Sequence, residues 1–299
     1  MTDFITRLQE YTQNFNRELP GFFPLPEGAE KRVVEAMAYS VMNGGKRLRP
    51  FLVYASAALF GLDFKASLQT ATALEMLHSY SLIHDDLPAM DNDDLRRGRP
   101  TCHKQFDEAT AILAGDGLLT YAFELISAPA THADPAVRCR LLNLLARQAG
   151  AFDGMVAGQM LDLIAEKLPT ETDFAPIIKQ IEAMKTGALL SYACEAGAIL
   201  GQADEEQRQA LRAYARGIGM AFQITDDILD VVGNQALVGK TLGKDAAQNK
   251  VTFVSLYGLE KARKLAAELI AQAQKSLEIF GAQADDLRSL AAYILSRDH

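Results

Sequence analysis

No tryptophan occurs in the 299 residues, and cysteine is limited to three, at Cys102, Cys139 and Cys194. An odd number at such wide spacing excludes a disulfide framework and a C-x-x-C metal site, and free thiols in a reducing compartment follow. Positive charge is also short: 30 Lys and Arg against 38 Asp and Glu leave a net charge of −8. That balance argues against a nucleic-acid groove or an anionic membrane surface as partner, so any phosphate site must be local. Long apolar runs are missing too. No uncharged stretch reaches the 18 residues of a membrane span, and the opening Met1-Thr-Asp-Phe puts an acid where a signal peptide has a basic region. A cytoplasmic protein without an integral membrane segment is expected. Strand signals are equally scarce, since Val231-Val232-Gly233 and Val251-Thr-Phe-Val254 are too brief to build a sheet.

What the sequence has in quantity is helical periodicity. With 49% apolar and 23% charged residues it can bury a large core. Apolar residues recur at three- and four-residue spacing, as in Val33, Met37, Val41 and Leu211, Tyr214, Ile218. An all-α fold follows. Breaks are expected at 20–28, 44–50, 61–63, 88–100, 129–135, 169–174, 201–205 and 232–249, where Gly, Pro and Asp gather. Most are short, as connections inside a bundle are, and none has the bias of an interdomain linker. Residues 1–299 therefore read as a single domain. Leu68 to His84 and Thr186 to Leu200 are apolar nearly all round and belong inside, whereas charged, amphipathic segments such as Leu256 to Phe280 belong outside.

Two acidic clusters interrupt this pattern. Asp85-Asp86-Leu-Pro-Ala-Met-Asp91-Asn-Asp93-Asp94 ends one of the buried helices, and carboxylates there are costly unless a cation or solvent meets them. Asp85 and Asp91 are six residues apart, about 240° and about 9 Å on a continuous helix, too far to share an ion. Pro88 offers a way out. The residue before a proline avoids the helical region, so the helix is expected to stop near Leu87 and the chain to bring Asp91 back toward Asp85. In the second cluster, Phe222-Gln223-Ile-Thr-Asp226-Asp227-Ile-Leu-Asp230, the spacing sets three carboxylates on one helical face, where like charges repel. A hard divalent cation resolves that repulsion. Mg²⁺ suits oxygen ligands and usually takes one or two carboxylates, water and substrate phosphates, with Mn²⁺ as an alternative.

The basic residues are concentrated in two turns, Gly44-Gly45-Lys46-Arg47-Leu48-Arg49-Pro50 and Arg96-Arg97-Gly98-Arg99-Pro100-Thr101. Arg offers forked donors to phosphate oxygens and Lys a point charge, so metal-loaded aspartates beside cations describe a site for two diphosphates. Lys185-Thr186-Gly187, Gln223, Lys240-Thr241 and Lys250 are further polar interruptions. His78, two turns before Asp85 on nearly the same face, is placed either to donate to a phosphate or to sit as a satisfied core histidine.

In these motifs the chain resembles the short-chain trans-prenyl (isoprenyl) diphosphate synthases, most closely the bacterial farnesyl diphosphate synthases. The resemblance runs from about residue 30 to the end and rests on Gly44 to Pro50, His84 to Asp91 with Arg96 to Thr101, Lys185 to Gly187, and Gly219 to Asp230, all in the family's order. It implies an antiparallel helical bundle around a deep central cavity, a homodimer, and condensation of isopentenyl diphosphate with dimethylallyl or geranyl diphosphate. Carried over residue by residue, Asp85, Asp86, Asp91, Asp226 and Asp230 would hold three Mg²⁺ ions on an allylic diphosphate, helped by Arg96, Lys185 and Lys240. Lys46, Arg49, His78 and Arg97 would bind isopentenyl diphosphate. Thr186 and Gln223 would line the region where the carbocation forms. A bulky Tyr80 beside a small Ser81 resembles the farnesyl pattern, a floor that stops growth near fifteen carbons; were Tyr80 only core packing, geranylgeranyl diphosphate would remain a product.

Rival readings are weaker. Glu75-Met-Leu-His78 matches the Glu-x-x-His element of diiron bundles, but that fold needs a second copy, and no other histidine has Glu three residues before it. Terpene cyclases and squalene-type synthases share aspartate-rich helices, yet the basic turn at Lys46 to Arg49 argues for a second diphosphate substrate. A binding subunit without turnover would have lost aspartates or cations, and both sets are intact.

Overall fold

Apolar spacing of three and four along the chain gives helices almost throughout the computed structural model, which describes residues 2–169, 171–232 and 251–297. Two compact units are formed, and the division falls inside two helices, α3 (Leu48–Ala58) and α7 (Pro135–Ala149).

The first unit comprises Thr2–Tyr54 and Asp63–Leu142. It holds α1 (Thr2–Glu18), α2 (Lys31–Met42), the first part of α3, α4 (Phe64–Asp85), the two-residue strands β1 (Leu95–Arg96) and β2 (Arg99–Pro100), α5 (Cys102–Gln105), α6 (Glu108–Ser127) and the start of α7. Helix α4 begins where Asp63, as N-cap, accepts from the Ala66 N–H at 2.9 Å. Its Ala, Ser and Leu composition matches its burial, and it packs on α6 and α2. Tyr11 of α1 stacks on Tyr54 and meets Phe51 and Phe64 edge-on, which fastens α1 to this core. Helix α6 is long and apolar enough by composition to cross a membrane; it is interrupted by Asp116 and packs one side against α2, α4 and α5.

The second unit comprises Ala55–Leu62 and Asn143–His299. After the rest of α3 and α7 come α8 (Met155–Ala165), α9 (Phe174–Lys185), α10 (Gly187–Leu200), α11 (Glu205–Val232), α12 (Phe253–Tyr257), α13 (Leu259–Ser276) and α14 (Asp285–Ser296). The all-round apolar α10 is buried along its whole length. Helix α11 packs on α10 and α13, and a Cβ at Gly219 would lie only 3.2 Å from the Gly187 Cα, so the two helices close on each other at paired glycines. In α13 the small residues Ala262, Ala266 and Ala273 with Ile270 form its buried stripe.

Four local features depart from the sequence reading or lie beyond it. The segment from Leu256 to Phe280 is not one helix: Gly258, at φ +77°, separates α12 from α13, and a 3₁₀ stretch begins at Glu278. A further break at 150–154 is marked only by two glycines. A small hairpin occupies the second basic turn, pairing Arg96 with Arg99 around Arg97-Gly98, both at positive φ as a type I′ turn requires. The break expected at 232–249 lies almost wholly outside the described residues. All three cysteines are free: Cys102 and Cys194 are buried and Cys139 is exposed. Burial pushes the Cys194 thiol up to about 12.

Candidate active site

In the first unit, α4 ends at Asp85, two residues before Leu87, and the chain then folds back on itself. The Asp91 N–H donates to the Asp85 carbonyl at 2.9 Å and the Asp93 N–H to the Asp86 carbonyl at 3.2 Å. Both backbone bonds are what the Pro88 bend makes reachable, and they gather Asp85, Asp86 and Asp91 at the helix end. The Asp86 side chain is 4% exposed, and Arg96 meets it with Nε at 2.7 and 3.0 Å and a terminal nitrogen at 2.6 Å. Burial raises the Asp86 carboxyl above its ordinary value while Arg96 pulls the other way. Behind this end, Tyr80 is buried with its ring edge-on to His84, and burial, aided by Asp85, pushes its phenol to about 12. The Ser81 hydroxyl donates to the His78 carbonyl at 2.8 Å.

The two basic turns, some fifty residues apart in sequence, meet in this unit. Arg97 donates to the Gly44 carbonyl, and a Cβ on Gly45 would lie 2.6 Å from the Arg97 guanidinium. Gly44 and Gly45, at φ +78° and +113°, are thus required both by their backbone and by that close approach. Asn43 donates to the Arg96 carbonyl at 3.3 Å and Tyr39 to the Pro100 carbonyl at 2.7 Å. Arg49 lies 3.4 Å from His78 Nε2. Burial first, then Arg49, Arg97, Arg96 and Arg47, hold the His78 imidazole well below its ordinary value, so it is neutral at neutral pH. Lys46 is half-buried beside Arg47. Arg47 itself, 3% exposed, is spent on the fold: it donates to Asn16, to the Val41 carbonyl and to the buried Glu75.

In the second unit, Lys185 ends α9 and Thr186 forms the joint with α10. Lys185 Nζ pairs with Asp162 of α8 at 2.6 Å, and a Cβ at Gly158 would overlap the Lys185 backbone, so α8 lies directly against this joint. Glu182 stands one turn before Thr186, with Oε2 buried and lacking a hydrogen-bond partner. Burial, then the Asp227 carboxylate, push its carboxyl up to about 8. On α11, Asp226 is held by Arg297 at 2.7 Å. Asp230 is buried one turn further on.

Helical spacing places Asp227 on the face of Asp226 and Asp230, and the structure uses its carboxylate otherwise. Asp227 accepts from Gln223 Nε2 at 2.9 Å and from the Phe253 N–H at 2.8 Å, the first amide of α12. A carboxylate satisfying an orphan helix N-terminus is a structural cap, which leaves Asp226 and Asp230 as the pair at i and i+4. Asp162, Glu182 and Arg297 were not anticipated. The first has a signal, as the one charged residue of α8; Arg297 is 71 residues from its partner and has none. Lys240 lies outside the described residues.

Among the described residues no three His, Cys, Asp or Glu side chains converge tightly enough to form a self-sufficient metal site. The donor chemistry nonetheless fits Mg²⁺: each motif offers oxygen ligands only, in the small number this ion takes when substrate phosphates complete its shell. Glu75 and His78 are joined to Arg47 and Arg49, and do not compose half of a diiron centre.

Comparison with known proteins agrees with these motifs. The polyprenyl synthetase family pattern matches residues 30–287. A farnesyl diphosphate synthase of Geobacillus stearothermophilus is 45% identical over 98% of this chain and 97% of its own. The farnesyl diphosphate synthase of Escherichia coli K12 is 46% identical over 99% of both. The crystal structure of an FPP/GFPP synthase from Zymomonas mobilis, 47% identical, superposes with a TM-score of 0.89 over 98% of this chain and 99% of that one. Motifs, all-α fold and similarity over nearly the full length agree, and the chain belongs to the polyprenyl synthetase family.

Proposed function

We propose that the protein is a Mg²⁺-dependent trans-prenyltransferase that condenses isopentenyl diphosphate with dimethylallyl and then geranyl diphosphate to give farnesyl diphosphate. The observation that carries this reading is the meeting of the two basic turns, with Arg49 against His78, beside the first aspartate motif. Cations gathered next to carboxylates suited to a metal-bound anion are what a two-diphosphate reaction needs. The names carried by the relatives point the same way.

In this reading Lys46, Arg49 and Arg97 neutralise the diphosphate of the isopentenyl substrate, and neutral His78 donates a hydrogen bond without adding charge. Arg96, Lys185 and Lys240 hold the allylic diphosphate. Asp85, Asp86, Asp91, Asp226 and Asp230 would bind Mg²⁺, probed equally by Mn²⁺, which when bound supplies positive charge to the departing diphosphate. With the substrates so held, the allylic C–O bond breaks and its electron pair leaves with the diphosphate. The isopentenyl double bond then forms the new C–C bond, and the released diphosphate takes the proton lost. Holding both partners in line makes that coupling effectively intramolecular. Thr186 and Gln223 line the reacting region, and apolar walls exclude water.

The two units act as one catalytic domain spanning residues 1–299. Tyr80, with Ser81, forms the floor that limits the product to fifteen carbons; a product of twenty carbons would instead make the enzyme a geranylgeranyl diphosphate synthase. Exposed Ile112 and Leu113 on the apolar α6 support a homodimer, and three free cysteines support a cytoplasmic location. The test is incubation with isopentenyl diphosphate and dimethylallyl or geranyl diphosphate, with Mg²⁺ or with EDTA, resolving products by carbon number. A Mg²⁺-dependent fifteen-carbon diphosphate supports reaction, metal and floor together. A folded, metal-loaded sample that makes no product would favour a binding subunit.

A further inference from the structure

Just past α14 the chain turns Arg297 back onto α11. Its side chain is 2% exposed, and its guanidinium lies over the Phe222 ring at 3.8 Å from the centroid. One terminal nitrogen donates both to the Phe222 carbonyl at 2.8 Å and to Asp226 Oδ1 at 2.7 Å. These two acceptors belong to one helical turn, so a single nitrogen clasps backbone and carboxylate together. The element that carries Arg297 is itself fixed, since α14 packs on α11 and α13 and its Leu287 carbonyl accepts from the buried Tyr214 hydroxyl at 2.7 Å. Burying a guanidinium this fully is costly without a ring and a carboxylate to receive it. Arg297 therefore sits in a place built for a cation, on a carboxylate that the proposed reaction needs for another cation.

We propose that Arg297 is the resident counter-ion of the second aspartate motif, and that it acts through Asp226 to set how tightly that motif takes up a divalent cation. The inference rests on the reading of Asp226 as a metal ligand. Without an ion, the guanidinium offsets the repulsion between Asp226 and Asp230. When an ion arrives, the two positive charges compete for the same carboxylate. Linkage makes that competition reciprocal: by whatever factor Arg297 weakens the ion, the ion weakens the hold on Arg297. Loading of the second motif and loosening of the last turn of α14 are thus one event.

The experiment titrates the full chain with Mn²⁺ in the presence of inorganic diphosphate, followed by electron paramagnetic resonance, for wild type, Arg297→Gln, Arg297→Ala and Asp226→Asn. The uptake lost in Asp226→Asn defines the share of the second motif. Both Arg297 variants should fill that share about tenfold more tightly than wild type, in the range usual for coupled sites. In wild type, Mg²⁺ with diphosphate should speed hydrogen exchange over residues 290–297. Equal or weaker uptake in both Arg297 variants, or unchanged exchange, overturns the proposal. Should neither Arg297 variant fold, Phe222→Leu removes the ring beneath the guanidinium and must shift uptake in the same direction. If Asp226→Asn binds like wild type, the metal-ligand reading has failed instead; if it loses uptake while the other variants gain none, only the counter-ion has failed.

Discussion

Arg47 and Glu75 form an ion pair whose side chains are 1% and 3% exposed, with Arg47 at φ +51° in the middle of the first basic turn. Its neighbours Lys46 and Arg49 remain near the site because Arg47 is anchored inward. A buried charge stripped of its partner is costly, so Glu75→Ala should lose about 3 to 5 kcal/mol of stability. Replacing both residues by apolar ones of similar volume should cost much less. Urea unfolding of the two single variants and the double variant measures the difference, and equal losses in all three would show that the pair is not the anchor.

Asp85→Ala removes a proposed metal ligand from a half-buried helix end. Turnover should fall by about 10²-fold or more, the scale of several kcal/mol of lost charge stabilisation, while the unfolding midpoint barely moves. Steady-state rates across a Mg²⁺ titration check this, and wild-type turnover at limiting Mg²⁺ would remove Asp85 from the metal site.

Tyr80 is buried against His84, one turn before Asp85. Tyr80→Ala should open the floor and shift the product beyond fifteen carbons, at a stability cost of about 3 to 5 kcal/mol for the cavity. An unchanged product spectrum from a folded variant would assign Tyr80 to packing alone.

Glu182 is raised from 4.5 to about 8 in the folded chain. An acid whose folded pKa lies above its unfolded one favours folding least once both states are ionised. Metal-free stability should therefore decline as pH rises from about 4.5 through about 8, then level off. Glu182→Gln should flatten that decline and be the more stable protein at pH 9. Parallel pH dependence of the two proteins in thermal melts would contradict the assignment.

Much of this was legible in one sequence, and the exceptions share a cause. Helix α4 and helix α10 announce themselves because an all-round apolar composition has only one stable place, the interior. The bend after Asp86 was legible because a proline's steric demand is local. The role of Asp227 was not, because periodicity tells which face a side chain leaves from and not which distant amide awaits it. Phe253, its partner, lies 26 residues on. Arg297 and Asp226 fail for the same reason at longer range. The break at Gly258 was missed because a lone glycine inside an amphipathic pattern is often tolerated, and only the backbone reveals its positive φ.

The unequal burial of the three cysteines gives the protein a built-in tally of its folded fraction. A thiol-directed reagent at neutral pH reaches Cys139 on the surface, while Cys102 and Cys194 are shielded and their thiolates suppressed. One modification per chain marks the intact molecule and three mark the opened one. Mass spectrometry can thus count unfolding chain by chain, and one dye on Cys139 can be attached without substituting any residue.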